Sequence, residues 1–314
     1  MTSTFNLNLK GKHFINLEDF TPNELQFLIE EAQKLKSKVK SKEEINLLKD
    51  KIMVMYFAKP SLRTRLSFEI GMKKLGGDAY VLKQDEIILG RRESIEDSAN
   101  VISRYCDLIM IRTFAHEDIE NFAKHSKVPV INALTDLSHP CQIMADLLTI
   151  KEHFGKLEGL TLSYIGDGNN VCNSLLIGCS MLGLNIKVGC PKGYEPNKDY
   201  INLAKEYAKE NGTFVEILNN VKNASSGADI LYTDVWASMG QEDEKEMRKE
   251  IFKDYQINTT LLKNANNDAI VLHCLPAHKG EEISDEVFDK NASIIYEEAE
   301  NRMYAQMAIM KSIG

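Results

Sequence analysis

The cysteines of this chain do not form the patterns that mark a metal site or a disulfide framework. Of the six, no two stand in a Cys-x-x-Cys arrangement, and none has the usual metal-ligand spacing to a histidine. We therefore expect reduced thiols, as is usual in cytoplasmic proteins.

The sequence also lacks the segments that would target the chain or anchor it in a membrane. No apolar run reaches membrane-spanning length. Residues 1–12 have neither the apolar core of a signal peptide nor the arginine-rich stripe of a transit peptide. A net charge of −8 argues against nucleic acids and anionic membranes as partners. We expect a cytoplasmic protein in which any anion binds to a local cationic pocket.

No repeat, low-complexity tract or long linker rich in proline, glycine and serine interrupts the chain. Short apolar runs instead alternate with helical patterns over 314 residues, a length that suits one large or two ordinary α/β domains. This alternation predicts an α/β fold of mostly parallel sheets flanked by helices. The predicted strands are Ile52–Phe57, Ala79–Leu82, Leu108–Ile111, Val128–Ile131, Leu160–Ile165, Ile186–Gly189, Phe214–Ile217, Ile230–Thr233 and Ala269–Leu272. The predicted helices include Pro22–Lys38, Leu62–Leu75, Ser94–Tyr105, Pro140–Phe154, Asn170–Leu182 and Glu297–Ile313.

A first polar cluster, Lys59-Pro60-Ser61-Leu62-Arg63-Thr64-Arg65, follows a predicted strand. Parallel sheets bind ligands beyond the carboxyl ends of their strands. Ser61 is a predicted N-cap, so backbone N–H groups, a hydroxyl and two guanidinium groups meet at a helix start. That combination suits a phosphate group. The alternative is a capped surface helix with solvated arginines.

A second group of polar residues follows the predicted strands Leu108–Ile111 and Val128–Ile131. Arg112 ends the run Leu108–Ile111, and His139-Pro140-Cys141-Gln142 opens a predicted helix with proline at its first position. An imidazole at this place tends to stay neutral and can donate a hydrogen bond to a carbonyl oxygen. A surface arginine and a simple helix cap are the alternatives.

Two further loops carry polar residues. Gly166-Asp167-Gly168-Asn169-Asn170 is similar to a dinucleotide-binding turn, but Val171 replaces the third glycine, which argues against a nicotinamide cofactor. Asp234, which precedes the turn Ser238-Met239-Gly240, offers a carboxylate that could pair with an ammonium group; an ordinary loop is the alternative.

The last cluster is His273-Cys274-Leu275-Pro276, directly after a predicted strand. A packed core thiol is the common role of such a cysteine. The neighbouring His273 and Pro276 instead favour an active-site loop, in which a cis bond before Pro276 can occur.

Together these motifs resemble the aspartate/ornithine carbamoyltransferase family along essentially the whole chain, and its ornithine branch most closely. The Arg-Thr-Arg and His-Pro-x-Gln motifs are shared across that family, whereas the Ser-Met-Gly and His-Cys-Leu-Pro loops are typical of the ornithine branch. The resemblance rests on residues 61–65, Arg112, residues 139–142, residues 234–240, residues 273–276 and residues 298–302.

The resemblance implies an enzyme that transfers the carbamoyl group of carbamoyl phosphate to the δ-amine of L-ornithine, giving L-citrulline and phosphate. It implies a carbamoyl phosphate-binding domain over residues 1–150, on which a C-terminal helix, 297–314, packs back. It also implies an ornithine-binding domain over residues 151–296. A homotrimer with sites near subunit junctions is expected, and no metal or organic cofactor.

Residue roles follow from the same resemblance. The implied carbamoyl phosphate ligands are Ser61, Leu62, Arg63, Thr64, Arg112, His139, Gln142, Cys274, Leu275 and Arg302. The implied L-ornithine ligands are Asn170, Asp234, Ser238, Met239 and Cys274. Arg112, His139 and Cys274 are the expected catalytic residues.

One position departs from the family pattern, and two kinds of alternative stay open. Ile88 stands where the family has a polar side chain that reaches a neighbouring subunit's pocket. Carbamoyl transfer to an N-acylated ornithine or to putrescine is one alternative, against which Asp234 argues because a free α-amino group suits its carboxylate. A binding protein on the same scaffold is the other, against which the presence of Arg63, His139 and Cys274 argues.

Overall fold

The computed structural model describes residues 7–83, 89–237 and 242–314. The chain divides into two compact units, residues 1–144 with 301–314 and residues 145–300. Each unit contains one parallel sheet flanked by helices, so the predicted α/β class with two domains of this kind is confirmed. The division falls within two helices, Pro140–Phe154 and Asp285–Ile313.

The first unit is built on a parallel sheet with strand order β2-β1-β3-β4. Its strands are β1 (Ile52–Phe57), β2 (Asp78–Lys83), β3 (Leu108–Arg112) and β4 (Val130–Leu134). Its helices are α1 (Pro22–Lys40), α2 (Leu62–Lys74), α3 (Ile95–Ile102), α4 (His116–His125) and the start of α5 (Pro140–Phe154). Strands β1 and β3 pair with Phe57 opposite Arg112, so both end at one edge of the sheet.

The second unit has a parallel sheet with strand order β7-β6-β5-β8-β9. Its strands are β5 (Thr161–Ile165), β6 (Asn185–Gly189), β7 (Val215–Leu218), β8 (Ile230–Thr233) and β9 (Ile270–His273). Its helices are α6 (Asn170–Met181), α7 (Lys198–Asn211), α8 (Val221–Ser225), α9 (Lys245–Phe252), α10 (Thr259–Leu262) and most of α11 (Asp285–Ile313). Thr233 and His273 are register partners, which brings the next residues, Asp234 and Cys274, side by side.

The last helix begins earlier than the sequence pattern indicates. The pattern predicts a start at Glu297, but α11 starts at Asp285. Ser284 precedes it and its hydroxyl accepts a hydrogen bond from the Val287 N–H at 3.4 Å, with two acidic residues in the first turn. Val287 and Ile295 are buried in the core of the second unit, which the polar residues between them concealed in the sequence.

Strand β4 is displaced toward the C-terminus from its predicted position, Val128–Ile131. Pro129 has no N–H to donate to a ladder, and the Val128 carbonyl accepts from the Ser126 hydroxyl at 2.7 Å. The segment around Phe14 pairs with this strand instead, since the Phe14 N–H donates to the Val130 carbonyl at 2.8 Å.

Within the described residues, the structure has no helix that combines the length and apolar character needed to cross a membrane.

Candidate active site

The first polar cluster lies at the start of α2, beyond the end of β1. Ser61 is the N-cap, as predicted: its side-chain oxygen accepts from the Thr64 N–H at 3.3 Å. The Ser61 hydroxyl also donates to Thr64 Oγ1 at 3.0 Å. Thr64 is fully buried, whereas Leu62 is exposed and Arg63 is half-buried.

Two buried arginines converge on Thr64 from distant parts of the chain. Arg112, the last residue of β3, places Nη1 at 3.4 Å from Thr64 Oγ1. Arg302, from α11, places Nη2 at 3.0 Å from the same oxygen. Both arginines are more than nine-tenths buried. A helix N-terminus with two such cations suits a phosphate or a similar oxyanion.

His139 directly precedes α5 and its carbonyl accepts from the Gln142 N–H at 3.1 Å, as expected for a capping position. Burial lowers the pKa of His139 well below its ordinary value of 6.5, and the nearby cations Arg302, Arg112 and Lys59 lower it further. The imidazole is therefore neutral at physiological pH and can donate one hydrogen bond without carrying charge. Gln142, one turn further, is also buried.

In the second unit the Asp234 carboxylate is held by three groups. Cys274 donates its thiol to Oδ1 at 3.0 Å, and the Val235 N–H donates to the same oxygen at 2.8 Å. Asn169, the N-cap of α6, donates its amide to Oδ2 at 2.8 Å. We call Asp234, Cys274 and Asn169 the carboxylate–thiol cluster.

The thiol of Cys274 stays protonated in this cluster. Burial raises the pKa of Cys274 well above its ordinary value, and the adjacent Asp234 raises it further. A protonated thiol acts as a hydrogen-bond donor and orienting group, while a nucleophilic role would need the thiolate.

The loop after Cys274 is fixed by a buried histidine. The Leu275 N–H donates to His273 Nδ1 at 2.9 Å, so the ring proton sits on Nε2 and faces Glu282 Oε1 at 3.0 Å. Leu275 has φ 57°, and the Leu275–Pro276 bond is cis, which confirms that prediction. Leu275 thus has a defined backbone orientation next to the thiol.

Beneath these strand ends lies a buried acidic group, the first residue of the 298–302 motif, to which the sequence assigned no role. Glu298, from α11, accepts from the His273 N–H at 2.9 Å and from the Tyr232 hydroxyl at 3.3 Å. Burial raises the pKa of Glu298 well above its ordinary value, and the neighbouring Asp146 raises it further. Through its contact with the His273 N–H, the Glu298 side chain holds the end of β9.

The predicted site residues thus fall into two sets. Ser61, Leu62, Arg63, Thr64, Arg112, His139, Gln142 and Arg302 belong to the first unit, and Asn170, Asp234, Cys274 and Leu275 belong to the second. Asn170 accepts from the Val171 N–H at 2.9 Å, while the neighbouring Asn169 bonds Asp234. Ser238, Met239 and Ile88 lie outside the described residues.

Among the residues that the structure describes, two groups of side chains bring potential metal ligands within 4.8 Å of one another. One is Asp234, His273 and Cys274, and the other is His278, Glu281 and Glu282. In the first group both His273 nitrogens already face hydrogen-bond partners and the thiol is protonated, so a metal would break those contacts. In the second group Glu281 pairs with Lys249 at 3.1 Å. We assign neither group to a metal.

The fold and the cationic helix start place the first unit among α/β domains that bind phosphorylated anions. Family models match along the chain: the aspartate/ornithine carbamoyltransferase carbamoyl-P binding domain over residues 12–152, and the Asp/Orn binding domain over residues 158–313.

Individual relatives are similar over nearly full length. An ornithine carbamoyltransferase of Oceanobacillus iheyensis is 48% identical over 97% of this chain and 95% of its own. That of Anoxybacillus flavithermus is 46% identical over 100% of both chains. The solved ornithine carbamoyltransferase from Pyrococcus furiosus is 45% identical, with a TM-score of 0.95 over 98% of each chain. This chain belongs to the aspartate/ornithine carbamoyltransferase family.

Proposed function

We propose that this protein is an ornithine carbamoyltransferase, which transfers the carbamoyl group of carbamoyl phosphate to the δ-amine of L-ornithine. The products are L-citrulline and phosphate. The observation that carries the donor side is the convergence of Arg112 and Arg302 on Thr64 at the start of α2. Relatives at 46–48% identity that bear this name support the acceptor.

On the donor side, the phosphate of carbamoyl phosphate would bind to Ser61, Arg63, Thr64 and Arg112, with the Leu62 backbone at the helix start. Arg302 would complete this pocket. The carbonyl oxygen would accept hydrogen bonds from Thr64, Arg112 and neutral His139, and Gln142 would hold the carbamoyl amide. Leu275 would offer its carbonyl, and Cys274 would line the path of the amine.

On the acceptor side, the α-amino and carboxylate groups of L-ornithine would bind to Asn170, Asp234, Ser238 and Met239. Asp234 supplies a buried carboxylate, which suits an ammonium group. Cys274 and Asp234 would orient the δ-amine in its neutral form.

The reaction proceeds by attack of the neutral δ-amine nitrogen on the carbamoyl carbon. Negative charge then develops on the carbonyl oxygen, the bond from carbon to the bridging oxygen breaks, and phosphate leaves with that electron pair. The nitrogen loses one proton as the new carbon–nitrogen bond forms, and the departing phosphate takes up that proton. Arg112 and His139 are catalytic because fixed donors at the developing oxyanion stabilise the transition state.

The two units would divide the substrates, with boundaries near residues 150 and 297 as the resemblance implies. The unit containing residues 1–150 and the C-terminal helix 297–314 would bind carbamoyl phosphate, and residues 151–296 would bind L-ornithine. We further propose a cytoplasmic protein, supported by six unpaired thiols, and a role in arginine biosynthesis or, by the reverse reaction, in arginine breakdown.

We also propose a homotrimer, which the family resemblance implies. Helix α2 presents Leu62, Leu66 and Ile70 at a spacing of four residues, and these side chains are 70%, 45% and 43% exposed. An apolar stripe on one helix face suits a subunit contact.

The test measures carbamoylated product from carbamoyl phosphate and four separate acceptors: L-ornithine, N-acetyl-L-ornithine, putrescine and L-aspartate. We expect rapid citrulline formation from L-ornithine, and rates at least about 100-fold lower with the others, because they leave buried polar groups unpaired. Preference for another amine would keep the donor side and overturn the acceptor. Absence of any product would contradict the proposal.

A further inference from the structure

Arg248 is a buried cation that none of the sequence motifs indicated. It lies on α9 and is only 6% exposed. Its Nη1 contacts Asp167 Oδ2 at 3.0 Å and the Trp236 carbonyl at 2.9 Å, while Nε contacts Glu244 Oε2 at 2.8 Å. The guanidinium carbon lies 5.2 Å from the centre of the Tyr194 ring.

Two of these contacts join different turns of the second unit. Asp167 belongs to the turn between β5 and α6, two residues before Asn169. Trp236 belongs to the turn after β8, two residues after Asp234. A single guanidinium group therefore fixes the spacing between these turns, as a planar fork with several donors can do.

Both turns meet at the Asp234 carboxylate. Asn169 reaches it from the β5 turn, through the amide contact at 2.8 Å, and Asp234 itself begins the β8 turn. If the turns separated, the Asn169 contact and the orientation of Asp234 would both change. Arg248 thus links the two turns that meet at this carboxylate without touching the carboxylate itself.

The Arg248 contacts with Asp167 and Trp236 are shielded from solvent. Its charge faces Asp167, which is 8% exposed, so the pair is poorly screened by water. Trp236, whose carbonyl Arg248 binds, is itself 5% exposed and its ring stacks on Phe252 at 6.0 Å. Removal of the Arg248 guanidinium would leave the buried Asp167 carboxylate without its ion-pair partner.

We propose that Arg248 is a positioning residue for the amino-acid acceptor: it holds the β5 and β8 turns together and thereby aims the Asp234 carboxylate at the acceptor's ammonium group. This inference rests on the proposed function. Loss of Arg248 should weaken the interaction with the acceptor. It should leave the interaction with carbamoyl phosphate unaltered, because the proposed ligands of carbamoyl phosphate lie mainly in the first unit.

The experiment measures kcat and the two KM values for wild type, Arg248→Gln, Arg248→Lys and Asp167→Asn. Arg248→Gln is expected to raise KM for L-ornithine about 10- to 100-fold, since small misplacements of binding groups cost about that much. KM for carbamoyl phosphate should change by less than about twofold. Arg248→Lys should be intermediate, because an ammonium group cannot hold both Asp167 and the Trp236 carbonyl in the same geometry.

Lys249→Met provides a matched control. Lys249 is the next residue on α9 and forms ion pairs with Glu246 at 3.2 Å and Glu281 at 3.1 Å, and neither partner belongs to the described part of the two turns. This variant loses a charge and its pairs, and its KM for L-ornithine should match wild type. The double variant Arg248→Gln/Asp167→Asn should be no worse than Arg248→Gln alone, because both changes break the same contact.

Each outcome separates the two levels of inference. Wild type without turnover of L-ornithine overturns the proposed function, and this inference with it. Wild-type turnover with an unchanged KM for L-ornithine in Arg248→Gln overturns the positioning role alone. An equal rise in both KM values, or a lower melting temperature with normal KM values, also overturns it in favour of a purely structural role. If Arg248→Gln does not fold, Arg248→Lys and Asp167→Asn decide the question by the same comparison, the change in KM for L-ornithine against the change in KM for carbamoyl phosphate.

Discussion

At the scale of single residues, the neutral state of His139 follows from where the chain places it. Its ring is buried beside three cations, Arg302, Arg112 and Lys59, and each of them opposes a further positive charge. A neutral imidazole still donates a hydrogen bond, so His139 can polarise a carbonyl over a wide pH range. The site therefore carries positive charge on arginines whose charge does not change with pH.

This placement predicts a pH-dependent stability. In the unfolded chain His139 binds a proton near pH 6.5, but in the folded protein its pKa is lower, so stability is present above pH 6.5 and is lost as pH falls. Between pH 8 and pH 5.5 the wild type should therefore lose more unfolding free energy than His139→Gln. Urea denaturation of both proteins at the two pH values measures the difference. Parallel losses in the two proteins would contradict a lowered pKa.

Replacement of Arg112 tests the proposed carbamoyl phosphate pocket, in which Arg112 and Arg302 converge on Thr64. Arg112→Ala removes a donor from the proposed carbonyl site, and kcat should fall about 100- to 1,000-fold while circular dichroism shows a folded protein. Arg104→Ala, which removes an exposed arginine, serves as the control and should keep wild-type turnover. Wild-type turnover in Arg112→Ala would refute the assignment of the donor pocket.

At the scale of helices and strands, most elements were predictable because local signals and tertiary packing agree. Strand β1 and helix α5 have the predicted bounds, since one is a continuous apolar run and the other starts with proline after a capping residue. The predicted start of α11 was wrong because its first turns carry more polar than apolar residues. The predicted start of β4 was two residues too early: Pro129 has no N–H to donate to the ladder, although its carbonyl accepts from the Ile109 N–H at 3.0 Å.

The site was predictable to the extent that its residues stand in contiguous motifs at strand ends. The role of Asn170 as an L-ornithine ligand stays a prediction. That Asn169 caps α6 and bonds Asp234 was not predicted, because sequence cannot tell which of two adjacent amides caps a helix.

Arg248 was missed because its partner Asp167 lies 81 residues away in sequence. Glu298 belongs to a recognised motif but was given no role, because its partner His273 lies 25 residues away. Only packing brings such groups together, so no local pattern reports them.

Gly168, in the turn over residues 166–170, has a packing role that does not require a dinucleotide ligand. A Cβ there would lie 2.3 Å from the Pro196 nitrogen and 2.4 Å from the Glu195 carbonyl carbon, so the turn packs against backbone. Gly168→Ala should therefore lower the unfolding free energy by about 1–3 kcal/mol, measured by chemical denaturation.

Gly193→Ala is the comparison for this prediction. Gly193 has φ +90°, and an alanine methyl group at this position would meet no neighbour within 4 Å, so its cost comes from backbone conformation alone. If alanine at Gly168 leaves the stability unchanged, the close approach of the two segments is refuted.

At the scale of the whole molecule, the apolar face of α2 allows a test of the proposed homotrimer. Leu66→Asp places a charge in the stripe of Leu62, Leu66 and Ile70, and burial of that charge in a subunit contact would be costly. Light scattering after size exclusion should give a trimer for the wild type and smaller species for the variant. Tyr105→Asp, at a side chain 73% exposed outside the stripe, should stay trimeric. A monomeric wild type would contradict the proposed assembly.

The central claim is that a carbamoyl group moves from phosphate to the δ-nitrogen of L-ornithine. Carbon-13 NMR of carbamoyl phosphate labelled at its carbonyl carbon tests it directly. With enzyme and L-ornithine, the label should move into the ureido carbon of citrulline, with one phosphate released per citrulline formed. Phosphate release with the label recovered as bicarbonate would instead mean hydrolysis, and an unchanged spectrum would mean no transfer; either result would contradict the proposed reaction.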